Sequence, residues 1–204
     1  MKWIRNIYDW VLKWSERRSG PRVLFLLSFA EASFFPIPPD VLLIPLALGL
    51  RSKAFKFALL CSVGSIFGAI LGYSLGYSVW WAGVRDFTPF AHFFFNHIPG
   101  MSIDGFYSIK ELYDSWNFWI IFTAGFTPIP FKLFTISAGA FGVDFAMFVI
   151  ASVISRSARF FLVAGLIKMF GELIREFIDK YFNILAILFT ILLIGGFLII
   201  KMFI

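Results

Sequence analysis

Five ionisable side chains stand within otherwise apolar stretches of this sequence: Glu31, Asp40, Lys132, Arg156 and Arg159. Holding a charge near the centre of a lipid bilayer costs on the order of 3 kcal/mol, so each of them implies a partner or a task. A lysine or arginine can reach an interface along its stem, but the short side chains of Glu31 and Asp40 cannot. A carboxyl group shielded from water is pushed toward its neutral form and can exchange protons. Glu31 and Asp40 are therefore read as proton-coupling groups. Arg156 and Arg159 lie three residues apart and share a helix face. Two forked, permanently charged guanidinium groups on one face make a phosphate clamp, and with Lys132 they form the expected set for binding an anionic headgroup. Asp40 and Lys132 each follow the second proline of a proline-rich break by two residues. Their pairing across two hairpin tips is one reading. Simple neutralisation of the arginines by Glu31 and Asp40 is the rival.

The rest of the chain says what solvent surrounds these groups. Of 204 residues, 60% are hydrophobic, 15% are charged and 29 are Phe, with a mean hydropathy of +0.86. A soluble domain is about 45–50% apolar and about a quarter charged, so a water-soluble fold is excluded and the expected class is an all-α polytopic membrane protein. A single cysteine, Cys61, excludes an intramolecular disulfide framework. The two histidines, His92 and His97, lack partners at metal-ligand spacing. No catalytic residue, metal or cofactor is expected.

The net charge of +6 is explained by topology rather than by nucleic acid. Lys2, Arg5, Lys13, Arg17, Arg18 and Arg22 outnumber Asp9 and Glu16, and Arg51, Lys53 and Lys56 follow. Residues 84–117 hold mainly Asp86, Asp104, Glu111 and Asp114. Short basic loops stay on the cytoplasmic side, so the N-terminus is expected inside and 84–117 is expected to be an extracytoplasmic loop. Residues 1–22 carry Ile4, Ile7, Val11 and Trp14 at helical spacing, as an amphipathic interfacial helix does; a helix packed on the rest of the protein is the alternative.

Two apolar segments are broken by proline. In 23–50 the break is Pro36-Ile37-Pro38-Pro39-Asp40, leaving limbs of about 20 Å and about 15 Å as helices. Neither limb crosses a core of about 30 Å, and basic residues flank both ends, so a re-entrant hairpin is predicted; the alternative, a single kinked span, would put Arg51, Lys53 and Lys56 outside. In 118–143 the break is Thr127-Pro128-Ile129-Pro130-Phe131-Lys132, predicting a second hairpin that enters from outside. Laid over each other, Pro36 falls on Pro128, Ile37 on Ile129, Pro38 on Pro130 and Ile44 on Ile136. Each hairpin precedes a long apolar span, 57–83 and 145–170, which gives repeats 23–83 and 118–170. Paired broken segments of this kind are the mark of inverted-repeat transporters. Gly64, Gly68, Gly72 and Gly76 recur every fourth residue, a stripe that lets another backbone approach closely. Residues 171–204 read as a charged linker and a C-terminal transmembrane helix over 184–200.

Glu31 with Pro36-Ile37-Pro38-Pro39-Asp40, Gly68-Ala69-Ile70-Leu71-Gly72-Tyr73-Ser74-Leu75-Gly76 and Phe126-Thr127-Pro128-Ile129-Pro130-Phe131-Lys132 together resemble the DedA (VTT-domain) membrane proteins. Phe131-Lys132 and Ser155-Arg156-Ser157-Ala158-Arg159-Phe160-Phe161 resemble the YqaA-like branch of that family. The resemblance covers about residues 25 to 170. It implies opposed re-entrant hairpins in a bacterial cytoplasmic membrane. It also implies movement of phospholipids or polyprenyl-phosphate carriers between leaflets, often dependent on proton motive force, by flippase- or scramblase-like action. Glu31 and Asp40 match the family's membrane acids. Many members have arginine on both sides of the second proline motif, whereas Gly125 stands at the first place here and Lys132 near the second. Arg156 and Arg159 are expected to take over anion binding. The expected partners are membrane lipids and protons, not nucleic acid, with homo-oligomerisation left open. The alternatives are a membrane-embedded enzyme acting on lipid phosphate and an assembly factor for membrane proteins.

Overall fold

Proline and glycine set several helix ends among the described residues. The computed structural model describes residues 19–171 and residue 173, apart from 36, 84–85, 98–101 and 128. The described residues are all-helical, joined by short connections. Helix α1 spans Gly20–Ser33, with Pro21 in its first turn, where a missing N–H costs nothing. It stops where Phe34 and Phe35 both donate to the carbonyl of Ala30 and the prolines that follow cannot extend it. Helix α2 spans Asp40–Gly49, with Pro39 as its N-cap and Asp40 in its first turn. A 3-10 turn, Arg51–Lys53, leads into α3, Ala54–Trp80. Then come α4, Pro89–His97, α5, Ile103–Phe126, and α6, Phe131–Ala140. Helix α7 covers Phe145–Gly171. Between α6 and α7, Gly142 takes φ +63°. Its N–H donates to Gly139 and that of Val143 to Ala138, a Schellman closure that needs a residue free of left-handed strain. The Asp144 side chain then accepts from the Met147 N–H at 2.8 Å and starts α7.

Two helices, Arg51–Trp80 and Phe145–Gly171, are long and apolar enough to cross a membrane. The first of these is the hub. A Cβ added at Gly64 or Gly68 would meet the carbonyl oxygens of Phe25 and Phe29, and one at Gly76 would meet that of Ile136. The stripe therefore receives α1 along its first half and α6 along its second, both running in the direction of α3. Leu24 near the start of α1 and Leu46 near the end of α2 join one core with Ala54, Phe57 and Ile167. The chain thus goes out along α1 and returns along α2. Ile121 of α5, Ala138 of α6 and Phe148 of α7 form a second core with Ala69 and Tyr73, so α7 runs back along α3. The Tyr73 hydroxyl donates to the carbonyl of Val143 at 2.5 Å. Removing it in Tyr73→Phe leaves a buried acceptor without its donor, and a loss of about 1–3 kcal/mol is expected. An unchanged unfolding midpoint in detergent would contradict that.

The structure differs from the sequence reading in several places. Residues 84–117 are not simply a connecting loop: they contain α4 and the first half of α5, which runs unbroken into the second apolar limb at 118–126. Charge alone does not end a helix. Here Ser102 caps α5 by accepting from Gly105 at 3.0 Å, and Lys110 and Asp114 pair at 2.9 Å one turn apart. The long apolar segments expected at 57–83 and 145–170 fold as the helices Ala54–Trp80 and Phe145–Gly171. The interfacial helix expected over 1–22 lies outside the described residues up to 18, and Gly20, Pro21 and Arg22 belong to α1. Pro36, Pro128 and the span expected at 184–200 also lie outside the described residues.

Candidate functional site

The two helix breaks bring together the five charges of the apolar stretches. Glu31 sits on the last turns of α1, Asp40 opens α2, and Lys132 is the second residue of α6. Helix α7 supplies the rest through an inward row at helical spacing: Ser152, Ser155, Arg156 and Arg159. One Nη2 of Arg156 donates to Glu31 Oε2 at 2.5 Å, and its Nε donates to Ser65 Oγ at 2.6 Å. The same guanidinium lies 4.9 Å from the ring centre of Phe131 and 4.7 Å from that of Phe160. The side chains of this pair are only 3% and 8% exposed. Such burial is tolerated because every face of the ion is met by a carboxylate, a hydroxyl or an aromatic ring.

Arg159 is held more loosely. Its Nη2 donates to Asp40 Oδ2 at 2.6 Å and its Nη1 to the carbonyl of Phe126 at 3.2 Å. Its Nε is buried without a hydrogen-bond acceptor, and the pair is 15% and 17% exposed. Lys132 Nζ donates to the carbonyl of Phe34 at 3.4 Å. A common logic links these contacts. Phe126 ends α5 and Phe34 follows the end of α1, and helix ends present carbonyls without intrahelical donors and a partial negative charge. Each interrupted helix is therefore capped by a cation from another element. The beginnings differ: Asp40 suits the positive N-terminus of α2, whereas Lys132 opposes that of α6. Among the described residues Lys132 has no carboxylate partner, which leaves it the least compensated charge of the set.

This arrangement corrects two readings. Asp40 pairs with Arg159 and not with Lys132, because the lysine points at the Phe34 carbonyl while the arginine fork spans Asp40 and Phe126. Arg156 and Arg159 do not form an open clamp either, since each is committed to a carboxylate. The geometry holds two carboxylate–guanidinium pairs, Glu31 with Arg156 and Asp40 with Arg159. Sequence reasoning missed Ser65, Phe131 and Phe160 as partners of Arg156. Ser65 shares a helix face with Gly68 and Gly72, which would have marked it as inward-facing. Gly125 also gains an explanation. A Cβ there would meet Ser155 Oγ and crowd the Phe131 ring, so α5 approaches α7 too closely for an arginine.

Among the described residues no three His, Cys, Asp or Glu gather as a metal cluster. His92 packs edge-on against Phe87, and His97 stacks on Phe93. A separate apolar groove of about 460 Å³ lies between α5 and α6, lined by residues including Trp116, Trp119 and Phe134.

No family model matches the chain, and no solved structure matches it. Two bacterial proteins do. An uncharacterized protein of Haemophilus influenzae is 35% identical over 203 residues, covering 98% of this chain and 100% of that one. A Histophilus somni protein described as "Uncharacterized protein HI0703 homolog" is 37% identical over 173 residues, 84% of this chain and 85% of its own length. Identity of this degree over nearly the whole length shows that the chain belongs to the family of the Haemophilus influenzae protein.

Proposed function

We propose that this chain is a polytopic protein of a bacterial cytoplasmic membrane that moves an anionic, phosphate-bearing lipid or lipid carrier between leaflets, in the manner its resemblance to the DedA proteins implies. The reading is carried by one observation. Two interrupted helices of an apolar bundle meet at a junction holding two ion pairs and a lysine with no carboxylate. In this reading α1, α2 and α3 form one repeat, and the end of α5 with α6 and α7 forms the other, inverted, with each short-helix pair re-entering from its own side. Lys132 and the start of α6 receive the phosphate. Protonation of Asp40 releases Arg159, whose freed donors join Lys132 on the headgroup, and loss of that proton restores the pair and expels the anion. The buried Glu31–Arg156 pair stays closed as the pivot.

The test uses the full chain in vesicles carrying lipids with fluorescent headgroups, reading how fast each lipid becomes accessible to an external quencher. Anionic lipid is expected to cross faster than in protein-free vesicles, and Lys132→Gln is expected to slow it several-fold while leaving the unfolding midpoint near that of the parent. No acceleration for any headgroup would overturn the transport reading. An unchanged rate in Lys132→Gln would overturn the assigned site, and a rate indifferent to an imposed pH gradient would remove the proton step.

A further inference from the structure

Folding gathers basic residues from three separate segments at one end of the helices. Arg22 comes from the start of α1, Arg51, Lys53 and Lys56 from the turn into α3, and Lys168 from the end of α7. These segments are neighbours: the Arg51 guanidinium lies against Gly171. Lys168 Nζ stands 4.7 Å over the ring of Phe55, which stacks on Phe161. Arg22, Lys53, Lys56 and Lys168 are exposed, and none of them pairs with a carboxylate among the described residues. The described acids lie elsewhere. Glu31 and Asp40 hold the central arginines. Asp86, Asp104, Glu111, Asp114 and Asp144 belong to the opposite end, where Lys110 is spent on Asp114.

Exposed like charges brought together by tertiary structure repel one another unless counter-charge is recruited. A purely solvated face would satisfy them with water and salt, but this face is not purely polar. Phe55, Leu59, Leu166 and Met169 are exposed on the same segments as the cations, Met169 by 74%. The surface thus combines ammonium groups with large apolar side chains. That combination fits a ligand with an anionic head and an apolar tail, and basic residues at the level of a membrane surface attract anionic lipids. We propose that this basic end is a binding surface for the anionic lipids of the leaflet it faces, distinct from the junction at the helix breaks. The proposal rests on the membrane-embedded part of the reading above and needs no transport.

The full chain is placed in phosphatidylcholine vesicles containing trace spin-labelled phosphatidylglycerol or spin-labelled phosphatidylcholine, and the fraction of each label immobilised by protein is read by electron paramagnetic resonance. A several-fold preference for phosphatidylglycerol is expected. It should fall toward parity in the Lys53→Gln/Lys56→Gln/Lys168→Gln variant and, for the parent protein, at high salt, which screens such contacts. The salt series decides the matter if the triple variant does not fold. Equal association of the two labels with the parent protein overturns the proposal, as does a preference unmoved by both salt and the substitutions. A chain washed from the vesicles by alkaline carbonate would instead show that the membrane reading itself had failed.

Discussion

Replacing Glu31 with glutamine is expected to destabilise the fold by about 3–5 kcal/mol, because it strands the Arg156 guanidinium in the interior. The pair is more deeply buried than any other in the described chain, and Arg156 contacts Glu31 at 2.5 Å between two aromatic rings. Glutamine keeps the shape of the side chain but withdraws the countercharge. The control is Asp40→Asn. Its partner Arg159 is partly exposed and retains the Phe126 carbonyl, so water can answer part of the loss and a smaller effect is expected. The double variant Glu31→Gln/Arg156→Met should recover most of the stability lost by Glu31→Gln alone, since removing both charges removes the uncompensated one. Arg156→Lys should not substitute for the parent, as an ammonium cannot serve Ser65 and Glu31 through one planar fork while stacking on Phe131 and Phe160. Denaturant titration in detergent measures all four. Equal losses for Glu31→Gln and Asp40→Asn would show that burial does not distinguish the pairs.

Much of this site was readable in advance, and the residues show why. Pro38, Pro39 and Pro130 act on their own backbone, so both breaks appear wherever the chain goes afterwards. Gly64, Gly68, Gly72 and Gly76 likewise mark a contact face by spacing alone. Charges set within long apolar stretches announce themselves by the cost of their surroundings. Pairing is another matter. Which carboxylate meets which arginine depends on the rotation of α7 against two separate short helices, and equivalent positions in a repeat suggested Asp40 with Lys132. Arg159 reaches Asp40 because it lies one turn beyond Arg156 on the same inward row, while Lys132 is drawn to a helix end. The extent of α5 was hidden for a different reason. Its acidic first half signalled location, and location says nothing about whether a helix ends.

Gly68→Ala is expected to cost about 1–3 kcal/mol or more, although alanine is the better helix former. The obstacle is a backbone carbonyl, that of Phe29, and it cannot rotate away as a flexible side chain would. Gly165→Ala is the matched comparison. It lies inside α7, its nearest neighbour would be the edge of the Phe55 ring at 3.9 Å, and a gain of about 0.5–1 kcal/mol is expected from helix propensity alone. Opposite signs at two mid-helix glycines would show that the stripe is a contact surface. Like signs would show that it is not. The consequence extends to the charges. Phe29 is two residues before Glu31, so pushing α1 off α3 withdraws the carboxylate from Arg156, which Ser65 of α3 holds from the other side. Gly68→Ala and Glu31→Gln should therefore be less than additive, by about 0.5–3 kcal/mol as for residues sharing one network. Strict additivity would mean that the glycine stripe and the buried ion pair stabilise the fold independently. A shortfall would mean that close backbone approach along α3 is what brings Glu31 within reach of its arginine.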